Sequence, residues 1–482
     1  MSFLPSFLAA VTVYWLGWIV YARTLHPCAK FPGPFLASIS RLWCMAQVLR
    51  RRVDEEDREL HRKYGPIVRV APNEVIISDP TALKTVYGFN SGFTKTDLYE
   101  IFIFPWERRP ALFTTRDEAV YPSRRKLVNH IYTMTNVLRS EAAIDSCTDT
   151  LLDQLRGIDR QQNPIDLSVW MRWYAFDVIG ALFFSAQFGF LSRRGDRHGW
   201  IVAGDAMGPL LSVLGAAPRY ARPLIKAGSL VAPFVLRGLR AMLKMEGAAE
   251  ECVKRGMEGG RVAEKGGEEY GMVEVKSEIL TALVVGSDTT STEIISILYH
   301  LLSHPSTYRT LRAEIDAATA AGHLSRPRIR YTEAARLPYL DACCKEGMRL
   351  LPSLGMALPR EVPAGGRVIA GEYFAAGVRV GISATVMHRY KGVFGEDADE
   401  FVPERWLREG AGEMEKHLFY VSSLPYCIGK NIALCEIYKV IPELIRTFDL
   451  ELADPDKGWT VDCMWLHKVS NVMAKVSVRK RE

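Results

Sequence analysis

The first 22 residues, MSFLPSFLAAVTVYWLGWIVYA, carry no charge, and about 20 apolar residues in a helix are what the hydrocarbon thickness of a bilayer requires. Tyr14, Trp15, Trp18 and Tyr21 suit a membrane interface, and Arg23, His26 and Lys30 put positive charge after the run. Positive charge on one flank favours keeping that flank cytosolic, so residues 1–22 read as a single-pass transmembrane anchor with the body in the cytosol. A cleaved signal peptide is the competing reading, but the run lacks a basic start and a small-residue cleavage site. HPCAKFPGPF follows at 26–35, and its three prolines and one glycine stop the helix and stiffen the chain. Residues 23–40 are therefore expected to form a proline-rich hinge, with 41–482 as the folded body.

That body has the makings of an ordinary folded domain. Apolar residues make up 48% of the chain and charged residues 24%, which excludes a disordered chain. The net charge of +6 is scattered over 61 basic and 55 acidic residues, so no block or tail calls for a nucleic acid. A local basic face for an acidic protein partner stays open. Nine cysteines without a C-x-x-C pair fit neither a disulfide framework nor a zinc site, and point to a reducing compartment.

Runs of β-branched residues at 67–70 and 75–77 predict a hairpin. Apolar spacing of three and four predicts helices over 124–139, 140–157, 166–185, 273–303, 306–321 and 339–351. A second β-rich patch spans 355–384, and the glycine-rich, charged stretch 247–271 reads as a mobile surface loop. The class is mainly α with a small β part.

Four local signals carry chemistry. In CIGKNIA (427–433) a cysteine precedes an apolar-periodic run; a helix start favours the thiolate and is expected to depress its pKa. Such a thiolate suits a soft or borderline metal such as haem iron. In VVGSDTTSTEI (284–294) hydroxyls and an acid interrupt a buried helix, at a cost in stability that lining a cavity would justify. There Gly286 lets a ligand lie against the helix, and Asp288 beside Thr289 makes a proton-delivery pair. KEGMR (345–349) sets Glu346 and Arg349 on one helical face. Arg405 in PERW (403–406) is placed to complete a Glu–Arg–Arg cluster with a structural role.

Taken in this order, with the hinge FPGP at 31–34, these motifs resemble the cytochrome P450 superfamily, in its microsomal fungal form. The resemblance runs from the hinge to the C-terminus. It implies the cytochrome P450 fold with an N-terminal transmembrane helix, and haem b held between the helix carrying 286–290 and the helix after Cys427. Cys427 is then the axial thiolate and metal ligand. Asp288 and Thr289 deliver protons for oxygen activation. Tyr121 and Arg125 in EAVYPSRRKLVNH (118–130), with Arg360 in LPREVP, are the implied partners of the haem propionates.

The chain departs from the family's pattern before the cysteine. Tyr420, Ser423 and Pro425 stand where phenylalanine, glycine and arginine or histidine are usual, so one propionate loses its usual cation.

The implied activity is a monooxygenase that hydroxylates or epoxidises a lipophilic small molecule in secondary metabolism. It takes electrons from NADPH–cytochrome P450 reductase at the endoplasmic reticulum membrane, and Arg124, Lys126, Lys430 and Lys439 are candidates for a basic docking face. Phe93, Leu98, Tyr99, Ile101, Phe102, Phe104 and Trp106 are expected to supply an apolar pocket wall. Two alternatives are a non-oxygenating haem isomerase or dehydratase and a haem-poor, membrane-bound binding protein.

Overall fold

The computed structural model describes residues 3–88, 90–103, 110–159, 163–258, 272–418 and 427–480. Its first element is the helix Phe3–Thr24. Over Leu4–Thr24 it has a mean hydropathy of 1.5, and of those residues only Ala22, near its end, is buried. Uniform apolarity without burial fits a membrane anchor. The helix Leu167–Phe184 is also long and apolar enough to span, but two-thirds of it lies inside the protein, so it is a core helix.

The anchor is fastened to the body. Arg69 is 1% exposed and donates to the carbonyls of Ala22 and Pro72, each at 2.7 Å. Ala22 lies in the last turn of the anchor, where helix carbonyls lack intrahelical partners. In the hinge, Phe31 stacks on Phe374 with ring centres 4.6 Å apart, and the Arg69 amide donates to the Pro32 carbonyl at 2.7 Å. Gly33 is required here, because a β-carbon would lie 2.2 Å from the Arg69 carbonyl oxygen.

The predicted hairpin forms from Ile67–Ala71 and Glu74–Ile77 and opens a five-stranded sheet. Next across that sheet come Arg379–Ile382, Arg360–Glu361 and Thr94–Lys95. The expected β-rich patch at 355–384 therefore joins the N-terminal hairpin. The predicted helices appear as Glu141–Asp159, Leu167–Phe184, Met272–Ser303, Pro305–Ala320 and Pro338–Leu350. The run 124–139 is instead two helices, Tyr121–Asn129 and Met134–Arg139.

Met272–Ser303 is the central element. It packs against Leu167–Phe184, Pro338–Leu350, Pro233–Glu258 and Lys430–Thr447, and its lower half contributes Ile294, Ile297, Leu298 and Leu301, all fully buried, to the main core. The expected loop at 247–271 is corrected in its first part, where the helix Pro233–Glu258 continues to Glu258. Ala249 is buried there with Leu280 and Leu283, and Lys276 pairs with Glu246 at 2.7 Å. Packing and this ion pair hold helical a stretch whose glycines argue against it. Residues 259–271 lie outside the described ones.

The Glu–Arg–Arg cluster forms as read. Glu346, Arg349 and Arg405 are at most 2% exposed. Glu346 accepts from both Nε and Nη2 of Arg349 at 2.9 and 2.8 Å, from Arg405 at 3.0 Å, from the Trp406 indole at 2.8 Å and from the Val402 amide at 2.9 Å. Arg349 in turn donates to the carbonyls of His388, Ala398 and Glu400. Such full satisfaction is what makes a buried charge cluster tolerable.

Candidate active site

Between the central helix and the start of the helix Lys430–Thr447 lies a cavity with about 1430 Å³ of empty space, its open mouth included. Cys427, Gly429 and Ile432 line it from one side, and Gly286, Thr289 and Thr290 from the other. Cys427 precedes Gly429, the residue that caps the helix. The amides of Gly429 and Lys430, and the charges of Arg125 and Lys430, favour its thiolate, but burial outweighs them and pushes the thiol pKa up. The expected net depression by the helix start is thus overturned: desolvation costs the thiolate more than two amides and nearby cations return.

Gly429 has φ −78°, an ordinary backbone conformation, and a β-carbon there would meet nothing within 4 Å. Its lack of a side chain leaves space beside the cysteine. Gly286 works differently. A β-carbon there would lie 3.2 Å from Ile179 Cδ1, so this glycine lets the helix Leu167–Phe184 pack closely.

Thr289 reaches the cavity, with its hydroxyl donating to the Val285 carbonyl at 2.9 Å. Asp288 does not line it. Its carboxylate accepts from Arg172 Nε at 2.7 Å, and Arg172 also holds Asp205, which Lys468 approaches at 2.6 Å. The structure brings the alcohol, but not the acid, to the cavity.

Tyr121 and Arg360 line the cavity as expected. Arg125 reaches it through Tyr121, donating to the phenol oxygen at 2.9 Å. Arg360 is 5% exposed and donates to the Tyr99 hydroxyl at 2.6 Å. Sequence reasoning missed Lys95, Glu278 and Glu293. Lys95 and Glu278 line the cavity, with Glu278 accepting from the Leu112 amide at 2.6 Å. Glu293, on the central helix, accepts from the Ser353 amide at 2.8 Å, and burial pushes its pKa up to about 8. No periodic or turn signal marks Lys95 or Glu278, whereas Glu293 lies within the polar stretch 284–294 already singled out.

Two further expectations are corrected. Of the seven proposed wall residues, Tyr99 lines the cavity, whereas Phe93 packs in the sheet core, Leu98 and Ile101 sit against Gly215, and Phe102 stacks on Trp465. Phe104 and Trp106 lie outside the described residues, as do Tyr420, Ser423 and Pro425. Lys439 is 1% exposed and pairs with Glu141 and Asp145, each at 2.7 Å, so it contributes nothing to a surface face. Lys126 is exposed, while Arg124 and Lys430 are partly buried.

A family model described as "Cytochrome P450" matches residues 32–198 and 249–476. The chain belongs to the cytochrome P450 family. It is 38% identical to cytochrome P450 monooxygenase gsfF of Penicillium aethiopicum, over 99% of this chain and 98% of that one. A pisatin demethylase of Fusarium vanettenii is 34% identical over 95% and 92% of the two chains. Cytochrome P450 monooxygenase pkfB of Emericella nidulans is 34% identical over 95% and 92%. The protein is thus a P450 monooxygenase, an oxidoreductase that binds haem through a cysteine thiolate. The cavity fits that group: a sulfur donor, open space beside Gly429, cations on one side and a largely apolar wall.

Proposed function

We propose that Cys427 is the thiolate ligand and that this P450 inserts one oxygen atom into a lipophilic small molecule of fungal secondary metabolism. The observation that carries the reading is that Cys427, just before the helix Lys430–Thr447, and Thr289, on the central helix, line one cavity. Cys463, the other cysteine near the C-terminus with polar neighbours, is fully buried with Asp54 and His467 around it and does not line that cavity.

Bound haem supplies the dioxygen activation of this family. One oxygen atom enters a C–H bond or alkene, and the other leaves as water with two protons and two electrons. NADPH–cytochrome P450 reductase supplies the electrons in this reading, at the cytosolic face of the endoplasmic reticulum. The exposed, apolar helix Phe3–Thr24, whose one charge is Arg23 at its end, supports membrane attachment there.

The chain's own residues have distinct tasks. Tyr121, Arg125 and Arg360 hold the haem carboxylates, since a buried carboxylate without partners is costly. Thr289 presents its hydroxyl to the cavity, and Asp288 recharges it when its carboxylate leaves Arg172. Leu112, Phe113, Tyr132, Ile179 and Phe183 form an apolar and aromatic wall, which favours a lipophilic, aromatic-bearing substrate. Similarity to a pisatin demethylase and to P450 monooxygenases of filamentous fungi supports this assignment.

The carbon monoxide difference spectrum of the reduced protein tests the ligand. Wild type and Cys463→Ser are expected to show the red-shifted Soret band of a thiolate haem, and Cys427→Ser to lack it. Loss of the band in Cys463→Ser alone sinks the assignment.

A further inference from the structure

Lys95 sits in the two-residue strand Thr94–Lys95, which pairs antiparallel with Arg360–Glu361 so that Lys95 stands directly opposite Arg360. Both side chains are 5% exposed and both line the cavity. Two like charges directly opposite in a sheet repel one another, and burial deepens the cost of each. The Lys95 ammonium donates to the carbonyls of Leu112 and Phe113, each at 3.0 Å. It also lies 4.7 Å from the centre of the Tyr121 ring and 5.4 Å from that of Tyr99.

Among the described residues no carboxylate lies within ion-pair distance of Lys95. Glu118 and Glu278 act on it only from farther away, and burial with the charge of Arg360 holds its pKa down to about 7. A lysine so placed is short of negative charge, and the missing charge belongs in the cavity. The sequence supplies the complementary observation. The stretch LFYVSSLPY at 418–426 contains no arginine, lysine or histidine, so the sequence just before Cys427 offers no cation.

We propose that Lys95 binds a haem propionate, supplying from the sheet the positive charge that the stretch before Cys427 lacks. The inference rests on the haem–thiolate reading above. Lys95 and Arg360 become neighbours of a carboxylate, and their mutual repulsion turns into a shared attraction. With Tyr121 and Arg125 beside them, two carboxylates meet three cations and a phenol.

The test measures haem transfer from the purified holoenzyme to a haem-scavenging apoglobin. Lys95→Met is expected to release haem roughly tenfold to a hundredfold faster, the loss of one charge-assisted hydrogen bond expressed as a rate. Lys95→Arg is expected to stay close to wild type, and Lys126→Met, on the exposed face, to be unchanged. The propionate bending band in the resonance Raman spectrum shifts in Lys95→Met. Should that variant fail to fold, the band in Lys95→Arg still shifts, because a guanidinium replaces an ammonium. Unchanged haem release in Lys95→Met, or an unmoved band in whichever variant folds, overturns the proposal. The carbon monoxide band separates the two failures. A wild type without the thiolate signature removes the haem–thiolate reading and this inference with it, whereas a normal band with unmoved release removes only Lys95.

Discussion

Arg172 Nε donates to Asp288 Oδ1 at 2.7 Å, while Nη1 and Nη2 of the same guanidinium hold Asp205 at 3.1 and 2.7 Å. The acid beside Thr289 is therefore charge-paired away from the cavity in the resting chain. If it recharges the threonine hydroxyl, Asp288→Asn lowers product formation by roughly 100-fold, the scale of a positioned proton donor. The spectral shift on substrate binding should survive, because the carboxylate does not touch the cavity. Equal loss of binding and turnover would assign Asp288 a structural role instead.

Glu346 collects five hydrogen bonds from Arg349, Arg405, Trp406 and Val402. Replacing it leaves the buried Arg349 guanidinium without a carboxylate and Arg405 with Asp397 alone. Glu346→Ala is expected to cost about 3–5 kcal/mol, the scale for breaking a buried pair. Chemical denaturation followed by haem absorbance measures it, and a cost below about 1 kcal/mol would make the cluster an ordinary surface-like pair.

Glu293 gives the stability a pH dependence. Its folded pKa is raised by burial to about 8, from an ordinary 4.5, so between those values the folded chain binds more protons than the unfolded one. Stability then falls as pH rises through that window. Glu293→Gln removes the titration, and its thermal midpoint is expected to decline less than wild type between about pH 5 and about pH 8. Parallel declines in the two proteins would show that Glu293 keeps an ordinary pKa.

Gly33→Ala sets a β-carbon against the backbone of Arg69. A backbone oxygen cannot swing aside as a side chain can, so the hinge must move. A destabilisation of about 1–3 kcal/mol is expected, and limited proteolysis should cut near residue 33 faster than in wild type. Unchanged proteolysis would show that the hinge is not held against the sheet.

The mainly helical fold, the hairpin, the buried Glu–Arg–Arg cluster and the cavity positions of Cys427, Thr289, Tyr121 and Arg360 were all legible, because each sits at a spacing that its element enforces. The partner of Asp288 was not legible, because Arg172 lies on another helix, 116 residues away in sequence. Lys439 was read as surface, since its partners Glu141 and Asp145 are about 300 residues away in sequence, and no local pattern announces them. The helix Trp200–Ala216 has three glycines and a proline among near-uniform apolar residues, which leaves no polar face to set a period. Lys95 escaped for a related reason: its strand is two residues long, and its neighbour Arg360 is joined to it only by the sheet.

Arg69 ties the last turn of the anchor to the first strand of the large sheet, and that sheet also carries Lys95 and Arg360. The membrane helix is thus not a tether on which the body swings freely. A change in the tilt of that helix would reach the sheet through the Arg69 guanidinium, and the far strands of the same sheet border the cavity.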